Sequence, residues 1–194
     1  MLDDTEATKP DSAITTSRLT LRRPTLADFG DMTTLWSEPE VIRYIGGHPF
    51  SPEEVWQRLL RYRGHWALLG YGYWAIRETA ANAFVGEVGF ADWHRTGLPD
   101  ITGMPEGGWV LNPSMQGKGY AGEALDAALA WLDRTIDPPS SACIIAPENR
   151  RSLNLAQRRG YRIVREATYR DTETCILVRD SPTGERYSTS PIAK

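Results

Sequence analysis

The stretch that decides the fold of this chain is Gln116-Gly117-Lys118-Gly119-Tyr120-Ala121-Gly122, which lies between an apolar run at 109–111 and a helical pattern. Three glycines close together let the backbone turn tightly and approach a ligand, because no Cβ obstructs it. Several successive N–H groups can then point at one anion, at the positive end of the following helix. The order of strand, glycine loop and helix therefore predicts a phosphate-binding loop.

Hydrophobic periodicity predicts the other elements of the chain. The pattern indicates one strand, two helices, three strands, a helix, a strand, a helix and two final strands. The expected strands cover 18–22, 73–76, 83–90, 107–111, 142–146, 163–164 and 175–178, and the expected helices cover 26–36, 52–66, 121–132 and 150–159. This order predicts a mixed α/β domain with helices on both faces of a sheet.

Length and composition are those of one globular domain. The chain has 194 residues, of which 41% are hydrophobic and 24% charged. We expect a loose N-terminal segment over 1–16, one domain over 17–180 and a polar tail over 181–194. A net charge of −3 argues against nucleic acid as a partner.

The sequence shows neither a signal peptide nor an apolar run long enough to span a bilayer, so we expect a cytoplasmic protein without a membrane partner. Cys143 and Cys175 lie inside apolar runs and are expected to be buried free thiols. No metal-ligand spacing is present around them.

Two common phosphate-binding motifs can be compared with the loop. The P-loop pattern is absent, since Asn112 and Gly119 occupy positions where it requires glycine and a hydroxyl. A Rossmann dinucleotide site is a remote alternative, because Gly117, Gly119 and Gly122 match its spacing. Five residues separate the strand from the first glycine, however, and too little chain follows to build the remaining parallel strands.

Read as Gln116-x-x-Gly119-x-Ala121, the loop resembles the pyrophosphate-loop signature of the GNAT superfamily of N-acetyltransferases. A second GNAT signature, Asn149-x-x-Ser152-(x)7-Gly160-Tyr161, is matched about thirty residues later. The motif Arg18-Leu19-x-Leu21-Arg22 and the stretches 71–76 and 85–89 extend the resemblance over roughly 17–180. In these details the chain is similar to the Rim-type branch, which contains ribosomal-protein N-terminal acetyltransferases and many small-amine acetylating relatives.

The resemblance implies a GNAT fold, in which a mixed, mostly antiparallel sheet of six or seven strands splays apart at the cofactor site. It also implies acetyl-CoA as co-substrate and no metal. Loop amides would bind the CoA pyrophosphate, Gln116 would steady the loop, and strand residues would pair with pantetheine. The cofactor-binding residues carried over are Trp109, Val110, Leu111, Gln116, Gly117, Lys118, Gly119, Tyr120, Ala121, Gly122, Asn149 and Ser152.

The resemblance further implies direct attack of an amine on the thioester. Glu106 is the predicted general base, Ser152 the predicted proton donor to the leaving thiolate, and a backbone N–H of Val110 or Leu111 the oxyanion donor. Other candidates for the base are Glu87, His94 and Glu166.

The acceptor is expected to be a protein N-terminus or a small amine. Its pocket is expected around Tyr44, Phe50, Trp74 and Trp93. A non-catalytic acyl-CoA sensor of the same fold is an alternative, and a homodimer is possible among such relatives.

Overall fold

The computed structural model describes residues 13–182. The strands are β1 (Ile14–Thr15), β2 (Leu19–Arg22), β3 (Tyr73–Glu78), β4 (Phe84–Ala91), β5 (Glu106–Leu111), β6 (Ser140–Ile145), β7 (Arg162–Tyr169) and β8 (Thr172–Asp180). The helices are α1 (Phe29–Ser37), α2 (Pro39–Ile42), α3 (Pro52–Leu69), α4 (Tyr120–Thr135) and α5 (Arg150–Gln157).

The eight strands form one sheet in the order β1-β2-β3-β4-β5-β6-β8-β7. All neighbouring strands are antiparallel except β5 and β6, which are parallel and pair at a single position, Glu106 opposite Ala142. The sheet is therefore held together on both sides of this junction and opens beyond it.

Both faces of the sheet are covered. Residues of β3 alternate between two cores: Trp74 belongs to the cluster that includes Leu125 and Leu132 of α4, whereas Tyr73 belongs to the cluster that includes side chains of α1 and α3. Every residue of β4 is buried, as expected for a central strand between two layers of helices.

The expected mixed α/β fold with a mostly antiparallel sheet is confirmed, with a higher strand count than predicted. The additional strand is β1, whose two residues pair with β2 although the sequence analysis assigned them to the N-terminal segment. The rest of the predicted segment and tail, 1–12 and 183–194, lies outside the described residues. The short helix α2 was also missed.

The last two strands are much longer than predicted, because β7 and β8 form a continuous hairpin. β7 lies at the edge of the sheet and alternates between exposed and half-buried residues, so no apolar run marks it. Between residues 13 and 182, no helix is long and apolar enough to cross a membrane.

Candidate active site

The opening between β5 and β6 leaves backbone groups of β5 without strand partners. The N–H of Asn112 donates to Val85 O of β4 at 2.9 Å, which fixes which residues face β4. Because backbone groups alternate along a strand, those of Val110 also face β4, whereas those of Trp109 and Leu111 face the opening. The side chain of Gln116 fills one of these vacant positions, since its Nε2 donates to Leu111 O at 3.2 Å.

This alternation corrects one sequence-based expectation. Val110 was named with Leu111 as a donor to the oxyanion, but the N–H of Val110 points toward β4. Its side chain lines the cleft instead. Trp109 and Leu111 are the residues of β5 whose N–H groups face the cofactor opening.

The glycine loop has the conformation that its composition requires. Gly117 and Gly119 have φ values of +76° and +81°, in the left-handed region where a Cβ would be strained. Gly119 is the N-cap of α4, and no side chain caps this helix. Within residues 13–182, the N–H groups of residues 117–122 donate no hydrogen bond to the protein. Six successive unpaired donors thus meet at the positive end of a helix dipole.

The N-terminal strands brace the loop. Arg18 Nη1 donates to Lys118 O at 2.9 Å, and the same guanidinium pairs with the carboxylate of Glu123 in the first turn of α4, with Nη2 and Oε2 2.6 Å apart. The hydroxyls of Thr16 and Ser17 donate to the same carboxylate at 2.6 and 3.1 Å. The negative charge of Glu123 is therefore compensated beside the loop amides.

These elements enclose a cleft of about 1280 Å³. All the predicted cofactor-binding residues line it except Lys118, whose ammonium lies 3.4 Å from Met115 Sδ. One wall of the cleft, formed by α2 and the turn after it, was not predicted from the sequence. A basic group on and after α5 was not predicted either, and it consists of Arg150, Arg151, Arg158 and Arg159.

The two predicted polar residues near α5 are held in place by local contacts. Asn149 is the N-cap of α5 and accepts the N–H of Ser152 at 3.2 Å. The indole Nε1 of Trp109 donates to Ser152 Oγ at 3.3 Å, across the opening between β5 and α5. The hydroxyl proton of Ser152 is thereby left available to another acceptor.

Glu106 lies elsewhere than its predicted role requires. Its side chain is 7% exposed, and Arg95 Nε and Nη2 donate to its two carboxylate oxygens at 2.6 Å each. Burial raises the pKa of Glu106, and the bonds from Arg95 oppose this rise. Glu106 does not line the cleft. Glu106 is thus an ion-paired residue that fixes the start of β5, and its role as general base stays a prediction that the pairing with Arg95 disfavours.

The other candidate bases are also away from the cleft. Glu87 is buried and accepts hydrogen bonds from Trp36 Nε1 at 3.1 Å and from the Tyr62 hydroxyl at 2.9 Å. Burial raises its pKa. His94 and Glu166 are exposed, and neither lines the cleft.

The four predicted acceptor residues separate in the structure. Tyr44 is half-buried and lines the cleft. Phe50 stacks on Trp36 and Trp93 lies near Arg95, both outside the cleft. Trp74 is 2% exposed and packs among aromatic rings on the α4 side, so it belongs to the core.

The α2 wall carries a carboxylate beside Tyr44. Glu40 and Tyr44 are four residues apart and both line the cleft. Part of this wall is anchored in the core, where Val41 and Val110 belong to one apolar cluster. The wall thus faces the splayed part of β5. In the described part of the chain, no group of three or more His, Cys, Asp or Glu side chains is placed to hold a metal ion.

Comparison with known proteins gives a consistent result. A family model described as an acetyltransferase (GNAT) domain matches residues 18–162. The uncharacterized N-acetyltransferase p20 of Bacillus licheniformis is 26% identical over 159 residues, which cover 81% of this chain and 85% of that protein.

Solved structures show the same architecture. An acetyltransferase from Agrobacterium tumefaciens str. C58 has a TM-score of 0.74 at 27% identity, covering 86% of this chain and 92% of that one. The RimL ribosomal L7/L12 alpha-N-protein acetyltransferase, solved in complex with coenzyme A, has a TM-score of 0.71 at 16% identity. That match covers 87% of this chain and 98% of the RimL chain, and at this identity it shows the fold alone.

Proposed function

The chain belongs to the GNAT family of N-acetyltransferases, and from this membership we propose that it transfers the acetyl group of acetyl-CoA directly to a primary amine. The observation that supports this most strongly is the run of unpaired amides at 117–122 beside the splayed strand. A diphosphate offers the acceptor oxygens that such a run of donors lacks. The family's co-substrate carries this group together with an activated thioester.

The basic residues around the loop suit the same ligand. Arg150, Arg151 and Arg158 line the cleft, and within residues 13–182 no salt bridge joins any of them to a carboxylate. CoA carries several phosphate charges, which such arginines would compensate.

Three residues would serve the transfer step. The N–H of Leu111 or Trp109 faces the opening and would donate to the oxyanion that develops on the thioester carbonyl. Ser152, whose Oγ already accepts from Trp109, would donate its proton to the departing thiolate and take one back from solvent water. The oxyanion role follows from the side of β5 on which the opening lies, and the role of Ser152 follows from its contact with Trp109 across that opening.

The acceptor amine would enter beside the α2 wall. Glu40 is a carboxylate of this wall that lines the cleft, and it would attract the ammonium form of the acceptor. Tyr44 would contact the rest of the acceptor. Glu40 would accept the amine proton through an intervening water molecule, in place of Glu106. Both a protein N-terminus and a small amine remain acceptor classes within this proposal.

The proposal is tested by thiol release from acetyl-CoA in the presence of amines and peptides, with mass spectrometry of the acceptor. We expect one amine class to gain about 42 Da, which is the mass added when an acetyl group replaces a hydrogen atom. Tight CoA binding without turnover of any amine would contradict transfer. Absence of CoA binding at millimolar concentration would contradict the site itself.

Ser152→Ala gives a more specific test of the chemistry. We expect it to lower kcat by about tenfold to a hundredfold while the Kd for CoA changes little, because a proton donor acts in the transition state. Ser37→Ala, an exposed serine of α1, is the matched control and should keep wild-type kcat.

A further inference from the structure

A second, smaller pocket lies outside the cofactor cleft, between the β4–β5 connection and the tip of the β7–β8 hairpin. Its volume is about 280 Å³. We call it the Arg170 pocket, and the residues lining it are Trp93, His94, Arg95, Thr96, Thr168, Tyr169 and Arg170. No carboxylate is among them.

The hairpin turn places Arg170 at this pocket. Arg170 and Asp171 have φ values of +50° and +60°, as in the two-residue turns that favour right-twisted hairpins. The guanidinium carbon of Arg170 lies 5.4 Å from the ring centroid of Tyr169, and that of Arg95 lies 5.0 Å from the same centroid. Two cations therefore flank one aromatic wall.

A third arginine reaches the same region from α3. The guanidinium carbon of Arg61 lies 5.0 Å from the ring centroid of Trp93. Burial and the nearby cations Arg58 and Arg170 lower the pKa of Arg61. Like charges are thus crowded around the pocket.

Two acidic groups lie near the pocket, and each contacts a residue that lines it. Glu106 holds Arg95 through both carboxylate oxygens, and Asp92 lies 3.1 Å from His94 Nε2. Within residues 13–182, no salt bridge pairs Arg61 or Arg170 with a carboxylate. Arg170 in the pocket and Arg61 beside it therefore bring positive charge that no salt bridge pairs within this part of the chain, together with the hydroxyl of Thr96 and two aromatic walls.

The pocket also has a defined relation to the reaction site. Its Arg95 is bonded to Glu106, the first residue of β5, and Trp109 of the same strand lines the cofactor cleft. Three residues of extended strand separate the two positions, which corresponds to about 10 Å. Taking Arg95 and Trp109 as the two ends, we use this spacing as the approximate separation between a group in the pocket and an amine at the thioester.

From this arrangement we infer that the Arg170 pocket binds a carboxylate of the acceptor, carried about 10 Å from the amine that is acetylated. The inference rests on the proposed acetyl transfer and narrows its acceptor class. An extended peptide covers this distance with an acidic side chain at its third or fourth residue. A small amine covers it with a carboxylate at the far end of a chain of about eight carbons.

The test uses matched acceptors that differ by one charge. One set is pentapeptide amides with a free N-terminus and either Glu or Gln at positions 2 to 5. The other is 8-aminooctanoate against 8-aminooctanamide. We expect kcat/KM to be about tenfold higher for the acid at the third or fourth position, or for 8-aminooctanoate, since hydrogen bonds to charged groups contribute this much. Whichever set shows the preference identifies the source of the carboxylate.

Variants connect the preference to the pocket. Arg170→Ala and Arg61→Ala should bring the ratio between acid and amide toward one. Arg63→Ala is the matched control, because Arg63 is exposed on the same helix and does not line the pocket. It should keep both the ratio and the turnover of wild type.

Two results would overturn the inference and leave the proposed function intact. One is measurable turnover of neutral acceptors with a ratio near one in every pair. The other is a large ratio that Arg170→Ala and Arg61→Ala both leave unchanged, which would place the anion elsewhere. Binding of CoA without turnover of any acceptor would instead contradict the proposed transfer, and the inference with it.

Discussion

Arg18 is the side chain that links the N-terminal strands to the glycine loop. Its guanidinium contacts a loop carbonyl and neutralises Glu123, which directly follows the unpaired amides in the first turn of α4. Without this cation, the carboxylate would repel a diphosphate at the same helix end. Arg18 therefore acts as a positioning residue for the loop.

Arg18→Ala should weaken CoA binding by about tenfold, because the hydrogen bond to Lys118 O is lost and the negative charge of Glu123 is no longer neutralised. Turnover of S-acetylpantetheine, which lacks the diphosphate, should change much less. Calorimetry with CoA and kinetics with both thioesters measure this difference. Arg162→Ala, at a remote ion pair with Asp180, is the control.

An equal loss with both thioesters would show that Arg18 supports the fold rather than the diphosphate site. Arg18→Lys should restore part of the affinity for CoA, because lysine keeps the positive charge but cannot donate two parallel hydrogen bonds as a guanidinium does.

At the scale of elements, Asp28 joins β2, α1 and β3. Burial raises its pKa, but hydrogen bonds from Arg22, the Thr25 N–H and Arg77 outweigh burial and lower the pKa to about 2. A lowered folded pKa contributes stability above the unfolded value of about 4, and this contribution is lost as the pH falls toward 2.

Asp28→Asn should therefore lower the free energy of unfolding by about 2–3 kcal/mol at pH 7. The difference from wild type should shrink below pH 3, as urea unfolding at several pH values would show. Asp126→Asn, at a carboxylate that is 61% exposed, should change little at either pH. A difference that stays constant from pH 7 to pH 3 would contradict the assigned charge state.

The pair of Glu106 and Arg95 holds β5 to the β4–β5 connection. Glu106→Gln leaves the half-buried Arg95 without its carboxylate, and we expect a loss of about 2–3 kcal/mol in stability. The double variant Glu106→Gln/Arg95→Gln should lose less than the sum of the single variants. Thermal unfolding of the four proteins measures this coupling.

The pH dependence of kcat separates this role from general base catalysis. The acidic limb of the profile should persist in Glu106→Gln, because the ion-paired carboxylate does not face the cleft. Disappearance of that limb would restore Glu106 as the base.

Local signals explain which elements the sequence predicted. In the helices α3 and α4, apolar residues recur at helical spacing over several turns, and both helices have recognisable N-terminal residues. The glycines of the loop indicate by themselves where the backbone must turn. The helix α2 has four residues, too few for a period, and so the α2 wall with Glu40 was missed. The edge strand β7 exposes residues on both sides and gave little hydrophobic signal.

Long-range pairing could not be predicted from the sequence. The neighbouring sequence does not indicate that Arg95 donates hydrogen bonds to both carboxylate oxygens of Glu106, or that the backbone N–H and C=O of Val110 face β4. Alternation in β3 places Trp74 and Tyr73 on opposite faces, but only the packing of α4 shows which face lies inside. The cofactor residues were easier to predict, because they form two contiguous motifs.

At the scale of the whole molecule, two thiols report on the integrity of the sheet. Cys143 in β6 and Cys175 in β8 are buried, and burial raises the pKa of each. Neither should react with an aromatic disulfide reagent in the folded state at pH 8, since the thiolate is the reactive form. Both should react at the rate of global unfolding. Fast reaction of one thiol would indicate local opening of the sheet near the cleft.

The proposed cofactor site depends on the six amides at 117–122, and NMR of the ¹⁵N-labelled protein during titration with coenzyme A tests them directly. We expect these amide signals to shift and their hydrogen exchange to slow by at least tenfold when the ligand binds, as for amides that gain a hydrogen bond; tenfold corresponds to about 1.4 kcal/mol. Shifts confined to other residues, or none at millimolar coenzyme A, would contradict a diphosphate site at these amides.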